Sequence, residues 1–349
     1  MPSKQILIVF LCVFAISLLY SSHTKFPSAY AAESYAFAAK WGSLGNYDGL
    51  LNLPASIALD SSGNVYVTDT NNNRIEKFSG DGKFLAKWGT YGTGLGQFNL
   101  PTGIALDKQG NVYVSDQSNN RIEEFNDSGG YVTTFNLGQY YPTRIAVDSA
   151  GDMYFVDPTK SLVIKFSSSG QSLGKWGSLG NDDGQFDSPT GIAVDSSDNV
   201  YVVDTGNNRV EEFSGDGKFL AKWGTYGTGL GQLNTPQGIA VDSSGDIYVT
   251  DTQNGRVEKF TNTGQFITEF GSHGTGNGKF DSPSGIAVDP SGNVYVSDAS
   301  YENPNIQKFS ISSSASASST VPEFGATALL VLTASIFALM VFTRTRLVK

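Results

Sequence analysis

The sequence predicts an all-β chain folded as a six-bladed β-propeller of four-stranded antiparallel blades. Three observations predict it. A unit of just under fifty residues recurs from Ala36 to Phe309. Its leading prolines, Pro54, Pro101, Pro142, Pro189, Pro236 and Pro283, stand 47, 41, 47, 47 and 47 residues apart. Self-similarity at such a period marks an array of small units that bury their apolar faces against one another. Each unit holds four short runs of β-branched and aromatic residues separated by Gly, Asn, Asp and Ser, and runs of that length make poor helices. A census of those runs then closes the array into a ring.

In the first full unit the runs are Ile57–Asp60, Val65–Asp69, Arg74–Ser79 and Phe84–Gly89, strands a to d. Strands a and b are joined by Asp60-Ser61-Ser62-Gly63-Asn64, and c and d by Ser79-Gly80-Asp81-Gly82-Lys83. Both connections place a side-chain acceptor early and Gly where the chain needs positive φ, as short hairpins require. The last unit stops after Ile306-Gln307-Lys308-Phe309 and lacks a d-strand, while an orphan d-strand, Phe37-Ala38-Ala39-Lys40-Trp41-Gly42, precedes the first a-strand. The N-terminal strand is expected to complete the last blade, leaving no bare edge.

The strings Ile-Ala-Val-Asp, Asn-Val-Tyr-Val-x-Asp and Asn-Asn-Arg-Val/Ile-Glu-x-Phe resemble the NHL repeat, and the likeness covers about 275 residues. The resemblance implies a six-bladed propeller used mainly as an interaction platform, with some relatives acting as lyases or as sensor domains of receptor kinases. A second symmetry overlies the first. Residues 79–97 are identical to 214–232, so blades 1–3 and 4–6 read as two halves.

The formal charge is −10, and all 33 acidic residues lie between 32 and 325. Five of the 23 basic residues belong to the two ends, so the body is more acidic still. It lacks the basic footprint of a nucleic-acid binder, and no nucleic-acid partner is expected. Lys4, an apolar run from Ile6 to Tyr20 and Ala29-Tyr30-Ala31 form the three parts of a secretory signal peptide over residues 1–31. The single cysteine, Cys12, falls inside it, so the mature chain forms no disulfide. The propeller occupies 32–311 and a Ser-rich stalk 312–321, whose composition cannot form a core.

Residues 322–349 hold Pro322-Glu323-Phe324-Gly325, seventeen uncharged residues from Ala326 to Phe342, and a basic end. Seventeen is near the lower limit for a membrane span, and a basic end marks a cytoplasmic tail. This tail resembles the archaeal PEF/PEFG C-terminal sorting signal. The resemblance implies recognition by an archaeosortase-type processing enzyme, removal of the helix and attachment to a surface lipid; a retained membrane helix is the alternative. Either way the body is expected at the cell surface.

Candidate chemistry is sparse. Asp69, Asp116, Asp204 and Asp251 each precede an arginine by five residues (Arg74, Arg121, Arg209, Arg256), a spacing that lets the two meet across a hairpin. Trp41, Trp88, Trp176 and Trp223 share one register of the d-strands, as packing between blades requires. Asp195-Ser196-Ser197-Asp198-Asn199 and Asn181-Asp182-Asp183-Gly184 contain oxygen ligands suited to calcium, though Asx turns account for the same residues. The mature chain has one histidine, His273, no Cys nucleophile and no Gly-x-Ser-x-Gly elbow. On those grounds the sequence predicts no enzyme, no catalytic residue, no metal ligand and no cofactor. Asn126-Asp127-Ser128 is a candidate glycosylation sequon.

The positions that break the repeat are the candidate ligand site. Arg144 stands where other a-strands have Gly103, Gly191, Gly238, Gly285 or Ser56, and Tyr140-Tyr141 precede it on a shortened d–a loop. Blade 3 carries Lys160 in place of the Asn-Asn-Arg turn, and blade 6 carries Tyr301. Arg and exposed Tyr are typical of interface anchors. The expected function is a surface-anchored binding or scaffolding module for an extracellular protein or glycan partner. The alternative is a lyase or lactonase-type propeller enzyme using a channel-bound divalent metal.

Overall fold

A computed structural model describes residues 33–312. The expected signal peptide, all but the first residue of the expected stalk, and the expected sorting tail with Pro322, Glu323, Phe324 and Gly325 lie outside the described residues. No helix among those described is long and apolar enough to cross a membrane.

Strand β1 (Ser34–Trp41) opens the described chain. Blade 1 holds β2 (Pro54–Leu59), β3 (Val65–Asp69), β4 (Arg74–Phe78) and β5 (Phe84–Trp88). Blade 2 holds β6 (Pro101–Leu106), β7 (Val112–Asp116), β8 (Arg121–Phe125) and β9 (Tyr131–Asn136). Blade 3 holds β10 (Ile145–Val147), β11 (Met153–Asp157), β12 (Leu162–Phe166) and β13 (Ser172–Trp176). Blade 4 holds β14 (Gly191–Val194), β15 (Val200–Asp204), β16 (Arg209–Phe213) and β17 (Phe219–Trp223). Blade 5 holds β18 (Pro236–Val241), β19 (Ile247–Asp251), β20 (Arg256–Phe260) and β21 (Phe266–Phe270). Blade 6 consists of β22 (Pro283–Val288), β23 (Val294–Asp298) and β24 (Asn305–Ser312), with β1 as its outer strand.

The closure follows the census. β1 pairs antiparallel with β24, from Ser34 opposite Ser312 to Trp41 opposite Ile306. The a-strands touch in the cycle β2, β6, β10, β14, β18, β22 and back to β2, so they line the axis. Further pins join the start of the described chain to blade 5: Lys259 Nζ lies 2.6 Å from Oε2 of Glu33, just before β1, and the Tyr35 and Tyr248 hydroxyls are 2.8 Å apart.

The b-strands are buried along their whole length, because each sheet is sandwiched between two neighbours. The core lies between blades. One cluster joins Leu51, Val67 and Phe78 of blade 1 to Tyr295 and Ile306 of blade 6. Trp41 packs between Phe78 and Tyr295, with ring centroids 6.2 and 6.3 Å away. Below it sits Gly82 (φ 90°), where a Cβ would fall 2.7 Å from the indole. The same Trp-on-Gly contact recurs at Trp88, Trp176 and Trp223, which assigns the tryptophans to packing between blades.

Two local details differ from the sequence reading. The a-strand of blades 1, 2, 5 and 6 begins at its proline rather than at the isoleucine three residues on. Pro54 faces Asp69 there across an irregular register, which needs no proline N–H. In blades 1, 2 and 5 the b–c connection is a 3-10 turn, such as Thr70–Asn72, closed by a left-handed residue (Asn73, φ 54°).

Candidate functional site at the channel mouth

The b–c turns and the d–a loops share the upper face, and the link between them is an arginine clamp. Arg74 donates from Nε to Asp69 Oδ2 (2.8 Å), and from its two terminal nitrogens to the carbonyls of Asn46, Tyr47 and Leu50 in the preceding loop. Asn72 adds a bond to Asp69 Oδ2 (2.7 Å), while Glu76 stands 2.7 Å from Arg74 Nη2 and accepts from the Gly49 N–H. Blades 2, 4 and 5 repeat the pattern with Arg121, Arg209 and Arg256. Every one of these guanidiniums is committed to structure. Burial pushes the Glu76 carboxyl up to about 7 despite the adjacent cation, and Glu211 and Glu258 up to about 7 and about 8.

Arg144 is the fifth arginine of the described residues, and its surroundings are different. It lines a cavity of about 190 Å³ on the propeller axis together with Ser56 and the six isoleucines of the a-strands. Its Nη2 donates to Ser284 Oγ at 2.8 Å, the one hydrogen bond of this side chain among the described residues. Ser284 belongs to blade 6, three blades from blade 3, so the arginine reaches across the axis to the opposite wall. The serine hydroxyl in turn lies 3.0 Å from Gln237 Oε1 and 3.2 Å from the Ala55 carbonyl. Among the described residues no carboxylate answers the guanidinium. Its surface is only half-buried because the channel admits solvent, yet protein encloses it, and this desolvation lowers its pKa to about 10. It stays cationic at neutral pH.

The repeat explains why most blades cannot present a side chain here. At Gly238 an added Cβ would lie 2.0 Å from the Ser284 carbonyl oxygen, and at Gly103 2.3 Å from that of Thr143. Glycine lets each blade approach the next, whereas blade 3 has room for a Cβ and the long stem it carries. The channel wall itself is polar. Ser56 N–H bonds to Thr68 Oγ1 and Asp60 N–H to the Asn64 carbonyl, so by strand alternation the amides of Ile57 and Leu59 face the axis. The inner strand edges thus offer unpaired donors and acceptors.

The other sequence candidates fall elsewhere. Tyr140, Tyr141 and Lys160 gather around buried Asp157: Lys160 Nζ lies 3.1 Å from its Oδ2, and the Tyr141 N–H donates to it at 3.1 Å. Lys160 also bonds to the Gln139 carbonyl and lies 5.5 Å from the Tyr140 ring centroid, so it stands in for the missing clamp arginine. Tyr140 packs edge-on to Phe155. Tyr301 lies in blade 6, 74% exposed. Asn126 is exposed on a c–d turn of the lower face, its side-chain carbonyl accepting from the N–H groups of Ser128 and Gly130. Ser284 and Gln237 escaped the sequence reading, since their positions vary from blade to blade and only ring closure sets them opposite Arg144.

The residues do not fit a divalent cation. Among the described residues no group of three or more His, Cys, Asp or Glu is placed to hold a metal, and a guanidinium at the mouth repels a cation that seeks six or more oxygens. The calcium candidate at 195–199 is an Asx turn. Asp195 accepts from the Ser197 and Asn199 N–H groups, the Asn199 amide and the Tyr201 hydroxyl. At 181–184 the carbonyls of Asn181 and Asp182 serve the Arg209 clamp. His273 is exposed, 4.0 Å from Asp281 Oδ1.

Comparison with known proteins identifies the class. Five stretches, 51–78, 98–125, 186–213, 233–260 and 280–309, match the NHL repeat. The described residues form a six-bladed propeller with five NHL repeats, and blade 3, which carries Arg144, is the blade without a match. No curated protein matches the sequence. Among solved structures, a streptogramin B lyase is 16% identical with a TM-score of 0.56, covering 81% of this chain and 99% of its own. A catalytically inactive variant of virginiamycin B lyase from Staphylococcus aureus, solved with quinupristin, shares 16% identity and a TM-score of 0.55 over 80% of this chain and 99% of that one. A gluconolactonase from Xanthomonas campestris shares 15% identity and a TM-score of 0.55, over 82% and 93%.

At that identity the likeness is one of fold. It nevertheless corrects one expectation. The absence of an enzyme was argued from scarce histidine and missing nucleophile motifs, but the proteins that share this architecture include a lyase and a gluconolactonase. The exclusion does not stand.

Proposed function

We propose that this protein is a cell-surface propeller enzyme of the lyase or lactone-opening kind, acting on a small molecule at the upper mouth of its channel. The observation that carries the reading is Arg144, a guanidinium without a carboxylate partner that reaches across the axis in the blade that departs from the repeat. Elimination next to a carbonyl and hydrolysis of a lactone both build negative charge on a carbonyl oxygen. A fixed cation in a channel of restricted solvent access stabilises that charge more than water does. No metal enters this stabilisation, since the residues of the mouth do not fit one.

The ends of the chain support the placement. A signal peptide over 1–31 and a PEFG-type sorting signal over 322–349 would export the body and hold it at the envelope through a lipid or a retained helix. Ser312, the last described residue, ends a c-strand on the lower face. The test is turnover of a panel of aliphatic lactones and β-acyloxy esters by the purified body. Activity should fall at least about 100-fold in Arg144→Gly. A wild-type protein inactive on the whole panel overturns the reading.

A second reading rests on the d–a loops. Tyr47, Tyr91, Leu95, Leu179, Tyr226 and Leu230 are 67–77% exposed on the upper face, on glycine-rich loops whose carbonyls the clamps hold rigid. Rigid Tyr-Gly loops resemble binding-loop chemistry, and they suit an extracellular protein partner. Tyr91→Ser with Tyr226→Ser should abolish binding to an envelope preparation while leaving turnover intact.

A further inference from the structure

We infer that the axial cavity binds a small hydroxycarboxylate, its carboxylate forked on Arg144 and its hydroxyls on the inner strand edges. The inference deepens the functional reading above by naming the chemical class that the site takes, and it rests on that reading for its biological sense.

Four observations carry it. First, a guanidinium offers five N–H donors in a planar fork that matches a carboxylate. Arg144 uses one of them, on a neutral hydroxyl, among the described residues. Burying a cation without a counter-charge is costly, and a carboxylate entering the mouth supplies that charge. Each of the other four arginines already has an aspartate and a glutamate, so the missing counter-charge belongs to Arg144 alone among those described. Second, one negative charge is what the site accommodates. Arg144 is the only cationic residue lining the cavity, and a second carboxylate would face edge carbonyls inside an acidic body.

Third, the remaining wall is suited to hydroxyls. Ile57, which lines the cavity, turns its N–H and C=O to the axis and supplies a donor and an acceptor, whereas Ser284 and Gln237 hold Arg144 from outside that lining. A purely aliphatic tail would leave these polar groups desolvated and unpaired, which costs free energy. Fourth, the size is bounded. The cavity of about 190 Å³ is somewhat larger than the roughly 150 Å³ that holds a benzene-sized molecule. Lactate and glycerate fit that range, with longer chains projecting through the mouth.

The experiment is calorimetric titration of the purified body with glycerate, lactate, glycerol and sulfate at constant ionic strength. Glycerate and lactate should bind, glycerol and sulfate at least tenfold more weakly, and both Arg144→Gly and Arg144→Met should lose the carboxylate binding. Thermal melting of each variant verifies its folding; glycine restores the residue of four other blades, and methionine keeps the stem. Glycerol binding as tightly as glycerate overturns the inference, as does equal binding of sulfate, or retained glycerate binding in folded variants. Turnover of neutral lactones by a protein that ignores glycerate overturns this inference and leaves the functional reading standing. Glycerate binding that depends on Arg144, in a protein without turnover, does the opposite.

Discussion

The arginines of the b–c turns and Arg144 carry the same side chain into two unlike settings. Arg74, Arg121, Arg209 and Arg256 each meet a buried aspartate, a buried glutamate and loop carbonyls. Arg144 meets one serine across an open channel. The first group holds loop to turn within a repeating unit, and its chemistry is complete without a ligand. The lone residue satisfies nothing local and is left with unused donors. A cation placed to stabilise a fold is saturated by the fold, whereas one placed for a ligand is left short of partners.

The largest effect expected from that difference is at the clamps. Arg209→Ala leaves Asp204 and Glu211 buried without their cation, which costs about 3–5 kcal/mol and lowers the melting temperature by on the order of 5–10 °C. A melt within a degree of wild type would erase the distinction between the two settings. Lys160→Ala should cost less, about 1 kcal/mol, because this substitute for a clamp arginine is part-exposed and holds Asp157 by one contact. Chemical denaturation of both variants gives the ranking directly.

A smaller effect concerns pH. The native glutamates of the clamps hold their protons more tightly than in the unfolded chain, since burial lifts Glu76 and Glu211 to about 7 and Glu258 to about 8. The native state therefore binds more protons than the unfolded state between about pH 4.5 and 8, and stability falls as pH rises through that window. The melting temperature at pH 5.5 should exceed that at pH 8, and Glu258→Gln should flatten the slope. A melting temperature that climbs over the same range would show that the arginines keep these carboxylates ionised.

Much of the fold was legible because the repeat states it many times. The proline spacing fixed the blades, and the missing last d-strand together with Phe37–Gly42 fixed the closure through β1. The Asp–Arg spacing of five residues foretold the clamps, since a hairpin brings such positions face to face. The a-strand starts were not legible, because Pro54 joins the sheet through a register that local propensity does not encode. Of the site, Arg144 stood out as a break in the repeat. Its partner did not, since Ser284 lies 140 residues away and meets it only through the opposition of blades 3 and 6. Lys160 looked like part of a surface patch, yet its amine turns inward to Asp157, a contact that becomes visible only once the turn of blade 3 is folded.

The account turns on whether Arg144 serves a ligand or the fold, and one variant separates the two. Arg144→Gly should melt no more than about 1 °C below wild type, since the loss of one hydrogen bond is offset by removal of an enclosed cation without a counter-charge, while lactone or ester turnover falls at least about 100-fold. A folded Arg144→Gly protein with wild-type turnover would contradict the central claim.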